Sequence, residues 1–179
     1  MSESEPKRIG VTIELKPHAY DPVTMPELFD GVLARRVVAF FIDLILIAIP
    51  ALLVALFIFV FGLITLGLGW LLYLLYWPAL VIWALAYYAI GFGSAASATI
   101  GMRVMDLEMR TWYGAPAYAL LGAVHAVLFW ITVSALTPLI LLVAFFNERR
   151  RLLHDMLAGT IVINNETRAG VLRASRRGF

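Results

Sequence analysis

An aspartate inside an apolar run is the group in this chain with the most chemistry to offer. From residue 37 to residue 61 the only charged side chain is Asp43, and Arg35 and Arg36 stand at the threshold of the run. An ionised carboxylate deep in a membrane helix costs at least about 2.5–3.5 kcal/mol, so Asp43 must face protein or water. Two roles are open to it. It either binds a cation or proton and drives a conformational step, or it is a polar latch, neutral or paired, that holds helices in register. Arg36 precedes it by seven residues, about 10.5 Å of helical rise, and leans toward the helix N-terminus, away from the acid. Arg36 therefore needs a different partner, or it reaches out to phosphate headgroups.

Other polar groups are few. His125 lies well inside a third apolar run, where it either relays protons with Asp43, since histidine titrates near neutrality, or hydrogen-bonds a neighbour. His154 and Asp155 are adjacent, but two neighbouring residues without further ligands fall short of a metal site, and no metal is expected. Arg149, Arg150 and Arg151 form a basic run that reads as an anchor facing anionic lipid. The chain has no cysteine, which removes disulfides, thiolate metal sites and Cys nucleophiles. Nor does it carry a Ser/His/Asp set, a phosphate-cradling glycine loop or a nucleotide fingerprint. Neither an enzyme nor a cofactor is expected. A net charge of +2 gives nucleic-acid binding no support.

The elements that must position these groups follow from hydropathy. Of 179 residues, 62% are hydrophobic and 15% charged, against about 25% charged in soluble domains. The apolar residues fall in runs of bilayer-crossing length. The opening residues lack the basic and then apolar pattern of a signal peptide, so insertion is expected to rely on the first membrane helix. Residues 1–27 read as a polar tail in which 9–15 could pair as a short strand, and 28–33 as a short helix lying at the interface. A first membrane helix covers 37–61, with Pro50 near its middle, and a glycine-rich turn covers 62–69. A second helix covers 70–90, with Trp70, Tyr73, Tyr76 and Trp77 at one end and Tyr87 and Tyr88 at the other as interfacial belts. Residues 104–111 alternate apolar and charged, which predicts a short strand or an extended interfacial segment.

Residues 116–146 are apolar again. As one helix they would span about 45 Å, too long for a hydrocarbon core of about 30 Å. Broken near 134–138, they return the chain to its starting side. All 14 Lys and Arg then share one face: five before the first helix, two in the middle connection and seven after Phe146. The positive-inside rule thus favours four segments with both ends cytoplasmic. The last, 137–146, is short for a full crossing and is expected to pack inside the bundle. A helix over 148–157, a stop at Gly159, a strand over 160–163 and a mobile basic tail over 165–179 complete the chain. The predicted fold is an all-α membrane protein, a small bundle of four hydrophobic segments with a minor extended element on the cytoplasmic side. A single such protomer offers little interior, so self-association or a larger membrane complex is expected.

Three separated pieces, ARRVVAFFID at 34–43, ATIGMRVMDLE at 98–108 and RRRLLHDMLAGTIVIN at 149–164, together resemble the RDD family of small bacterial membrane proteins. The resemblance spans about residues 29–164, which sets a domain over 28–164 between the two tails. By motif, the family's arginine is Arg36 and its two aspartates are Asp43 and Asp155. It implies a helical bundle in the bacterial inner membrane and a link to transport or ion exchange, with no defined substrate. The middle piece departs from the family's Thr-x-Gly-Lys pattern: Thr99 and Gly101 match, Met102 stands at the lysine position and Arg103 follows it. Given the geometry of the first helix, Arg36 is expected to pair with Asp155, joining the chain's two ends at the cytoplasmic boundary. Function divides into a transport component that uses the buried carboxylate and a non-transporting scaffold or accessory subunit whose polar groups specify assembly.

Overall fold

A computed structural model describes residues 18–136, 143–144 and 146–178. The elements are α1 Val32–Ile64, α2 Tyr73–Phe92, α3 Ile100–Val104, β1 Leu107–Thr111, α4 Ala119–Leu136, α5 Leu153–Leu157, β2 Thr160–Asn164 and α6 Glu166–Arg177. Among them α1 and α2 are long and apolar enough to cross a membrane, and α4 is a shorter apolar helix. Large hydrophobic side chains stand exposed along both long helices, from Phe41 and Ile45 to Leu63, and from Leu74 to Ile90. A helix that is apolar on every side needs lipid or a partner to cover it.

The 33 residues of α1 extend about 50 Å, through Pro50 and back past both arginines. The apolar stripe at 28–33 does not form a separate interfacial helix. A single 3-10 turn, Pro26–Leu28, precedes Gly31, whose φ of 67° breaks the chain's direction before α1 starts. At the far end Gly67, with φ of 97°, turns the chain into α2. The two helices are then zipped by tyrosines expected to mark the interface. Tyr73 donates its hydroxyl to Ala55 O at 2.8 Å and Tyr76 to Ala51 O at 3.2 Å. Those rings are fasteners between helices because their polar ends find carbonyls of α1 rather than water.

The predicted strands exist and find each other. β1 pairs antiparallel with β2, Leu107 opposite Asn164 and Thr111 opposite Thr160. Alternation then sorts side chains as expected. Leu107, Met109 and Val162 join Val32 and Ala39 in one core, while Ile161 and Ile163 pack on Leu28, Phe29 and Ala169. The ribbon is thus covered on both faces, which suits the unbroken β-branched run of β2.

Two expectations near the C-terminus need correction. Only Leu153–Leu157 of the stretch 148–157 is helical, because Arg150 takes a φ of 52° and turns the chain; Gly159, at φ 63°, ends the helix where expected. The basic tail is not mobile but forms α6. Asn165 caps it by accepting from Arg168 N at 2.9 Å, fully buried Ala169 seats it, and Arg173 reaches Glu27 at 2.7 Å. The possible strand at 9–15 lies outside the described residues, as does most of the short limb at 137–146. Ala144, which is described, is buried against Leu152.

Candidate functional site

Because α1 begins at Val32, Arg36 falls in its second turn and points back toward the C-terminal segment. Its guanidinium grips Asp155 with both ends, Nη2 to Oδ1 at 2.9 Å and Nη1 to Oδ2 at 2.5 Å. The Arg36 side chain is 11% exposed and that of Asp155 0%, so this is an interior bidentate pair. Leu152 N also donates to Oδ2, at 2.9 Å, closing the start of α5. Burial pushes the Asp155 carboxyl up, but Arg36 and the two nearby histidines overcome that and hold it well below the usual carboxylate range. The start of α1 and the segment carrying α5 therefore meet through this contact.

Asp43 sits about two turns further along α1 and makes no contact with Arg36. Tyr87 of α2 donates its hydroxyl to Oδ1, Gly101 N donates to Oδ1 at 2.7 Å, and Thr99 Oγ1 donates to Oδ2 at 2.6 Å. Asp43 is 4% exposed. Thr99 also caps α3 by accepting from Met102 N at 3.2 Å. The short α3 is thereby docked end-on against α1, and Gly101 allows it: a β-carbon there would lie 2.2 Å from Ala39 O. The middle sequence piece is thus the receptor for Asp43. Arg103 does not reach the acid; it braces the preceding loop through Ala98 O at 3.2 Å and Ser94 Oγ at 2.6 Å.

His125 does not relay to Asp43 either. It stands over Asp155, with Nε2 3.7 Å from Oδ1 and Nδ1 3.3 Å from Thr160 Oγ1. His154 places Nε2 3.6 Å from the same Oδ1 and Nδ1 3.4 Å from Thr132 Oγ1. Burial lowers the His154 pKa to about 3, Asp155 opposing the shift and Arg36 reinforcing it, so the ring is neutral at pH 7. His125 and Thr132 are separated by about 10.5 Å of helix, yet both reach the α5–β2 segment, so α4 runs alongside that segment. A cavity of about 340 Å³ lies against this cluster; Arg36, Asp43, His125 and His154 contribute to its wall, with Phe40 and Phe129 among its apolar lining.

The basic run is not the uniform lipid anchor that the sequence predicts. Arg151 is buried, donating Nε to Thr160 O at 2.8 Å and Nη2 to Asp155 O at 2.9 Å, with its guanidinium 4.3 Å from the Trp112 ring. Arg149 is half-buried and donates to Tyr20 O at 3.3 Å; Arg150 is exposed. A peptide carbonyl and an aromatic face can hold an arginine away from lipid, and one letter of sequence cannot distinguish those fates.

His18 completes that corner, its ring 3.8 Å from Trp112. Burial, then Arg149 and Arg151, lower its pKa from 6.5 to about 4. The unfolded chain therefore takes up this proton first as pH falls. Stability from keeping His18 neutral is complete above about pH 6.5 and drains away toward pH 4. Unfolding midpoints across that range are expected to fall less steeply in His18→Gln than in the parent, while equal slopes would count against the assignment.

Sequence reasoning missed four supports of this arrangement. Tyr87 passed for a belt residue, and Thr132 and Thr160 gave no signal beyond being hydroxyls. Arg35 carries no partner expectation from sequence, and it bonds Asn164 Oδ1 at 3.2 Å. That asparagine in turn donates to Glu27 O at 2.8 Å and Asp30 O at 2.9 Å.

Two long apolar helices and buried arginine–aspartate and aspartate–threonine contacts define a small helical protein of membrane character. The RDD family model matches residues 31–159, and the chain belongs to the RDD family. No curated protein and no solved structure matches it.

Proposed function

We propose that this protein is a non-enzymatic, multi-pass subunit of the bacterial inner membrane, acting as a scaffold or accessory part of a larger assembly. One observation carries the reading. Both buried acids are held by donors of their own chain: Asp155 by Arg36 and Leu152 N, Asp43 by Tyr87, Thr99 and Gly101. Acids so engaged fasten segments together. The exposed apolar flanks of α1 and α2 supply the surface that a partner, a second copy or lipid would cover. Arg36 meeting Asp155, and α6 meeting Glu27, support placing both basic ends on the cytoplasmic side with four hydrophobic segments between them.

A second reading, cation or proton exchange at Asp43, draws on the cavity of about 340 Å³ that reaches this acid. One experiment separates the two. Vesicles containing the purified protein are assayed for pH-driven cation flux, and native complexes are isolated from membranes, for the parent and Asp43→Asn. The scaffold reading expects flux no greater than in protein-free vesicles and a complex that loosens in the variant. Flux in the parent that disappears in a folded Asp43→Asn protein would replace it with the exchange reading.

A further inference from the structure

We propose that His125, His154 and Asp155 form a binding site for a single divalent transition-metal ion of borderline softness, with Zn²⁺ as the type case. This goes beyond the scaffold reading and does not depend on it. The two imidazoles come from α4 and α5, and both direct Nε2 at one carboxylate oxygen, at 3.7 and 3.6 Å from Asp155 Oδ1. The three ligand atoms lie within 4.8 Å of one another and all three residues are buried. Ligand atoms held about 2.1 Å from a tetrahedral zinc are about 3.4 Å apart. The two histidine–carboxylate separations are already near that value, while the cluster as a whole, spread within 4.8 Å, has to close further around an ion.

The surroundings are those that metal-binding side chains require. Thr132 commits its own proton to Leu128 O at 2.7 Å, so it accepts from His154 Nδ1–H and leaves the Nε2 lone pair facing Arg36 Nη2 at 3.5 Å, the donor that an ion would displace. Thr160 Oγ1 is within reach of both His125 Nδ1, at 3.3 Å, and Asp155 O, at 3.4 Å. Metal binding selects the state in which His125 Nδ1 donates and the Thr160 proton turns to the carbonyl. Asp155 divides its oxygens: Oδ1 faces the histidines and accepts from Arg36 Nη2 at 2.9 Å, while Oδ2 is held by Arg36 Nη1 and Leu152 N. Arg36 can thus remain on Oδ2 as a positioning group while its Nη2 releases Oδ1. The adjoining cavity of about 340 Å³, walled in part by both histidines, gives the ion an entry path and room for a fourth, exogenous ligand. Two nitrogens and one oxygen without thiolate suit Zn²⁺, Co²⁺ or Ni²⁺ ahead of Ca²⁺ or Mg²⁺.

The chain has only three histidines and no cysteine, so the test is clean. The full chain, purified in detergent with any affinity tag removed, is titrated with Zn²⁺ alone by calorimetry, and with Co²⁺ by visible absorption. The site predicts saturable binding of about one ion per chain, and a Co²⁺ spectrum of low-coordinate nitrogen and oxygen ligation without thiolate bands. His18→Gln is expected to bind as the parent does, His125→Gln and His154→Gln to lose binding, and Thr132→Val to weaken it by about 10–100-fold. Absence of saturable binding in the parent overturns the proposal, as does binding that survives both site-histidine changes. Should those two variants fail to fold, X-ray absorption of the Zn²⁺-loaded parent decides: two imidazoles support the site, one or none rejects it.

Discussion

Asp155→Asn is expected to lower the unfolding free energy of the detergent-solubilised protein by about 3–5 kcal/mol, the range for removing one partner of a buried ion pair. The cost does not come from losing an attractive contact alone. The amide keeps one of the two accepting oxygens, but it leaves the Arg36 guanidinium, 11% exposed, without a countercharge among the described residues that touch it. Arg36→Met should cost a similar amount, since Asp155 then has to stay ionised in the interior or take up a proton. Combining Arg36→Met with Asp155→Leu removes both charges, and the double variant is expected to recover most of the loss. Chemical unfolding followed by tryptophan fluorescence measures all three. Single changes that each cost less than about 1 kcal/mol, the scale of an exposed pair, would show that the contact is not interior.

Gly101→Ala is expected to be nearly as damaging, although it adds one methyl group. The new carbon would lie 2.2 Å from Ala39 O and 2.7 Å from Asp43 Oδ1, so α3 has to withdraw from α1. Withdrawal breaks the donations from Gly101 N and Thr99 Oγ1 to Asp43. Overpacking costs about 1–3 kcal/mol and hydrogen bonds to a charged group about 1.5–3 each, so a total loss of about 3 kcal/mol or more follows. Gly170→Ala, on α6 with open space around the added carbon, is the control and should be neutral or slightly stabilising. If both glycine variants unfold alike, the close approach of α3 and α1 is not what holds Asp43.

Much of this arrangement could be read before any coordinates, for physical reasons that differ from place to place. A lone acid in an apolar run has to be satisfied, so Asp43 could be singled out without knowing its partners. The rise of a helix separates Arg36 from Asp43, which leaves Arg36 to find an acid elsewhere in the chain, and it pairs with Asp155. Period-two alternation located β1, and a β-branched run located β2. What stayed hidden depends on long-range placement. Nothing local shows that Tyr87 meets Asp43, that His125 belongs with His154, or that Arg151 turns inward onto Trp112 while Arg150 stays out. The basic composition of 165–179 suggested a loose tail because its anchoring acids, Glu27 and Glu166, lie partly at the other end of the chain. The RDD motif identified Thr99 and Gly101 by resemblance, but only the packing gives them a task.

The Arg36–Asp155 contact joins residues 119 positions apart, and this has a bearing on biogenesis. A ribosome delivers α1 to the insertion machinery long before the acid that will neutralise its arginine has been translated. During that interval Arg36 has to dwell among headgroups or water, so the nascent chain cannot take its mature packing until Asp155 has emerged. Closure is thereby deferred until the second motif aspartate has left the ribosome. A chain released early, short of Asp155, would lack the clasp and present quality-control proteases with an open intermediate.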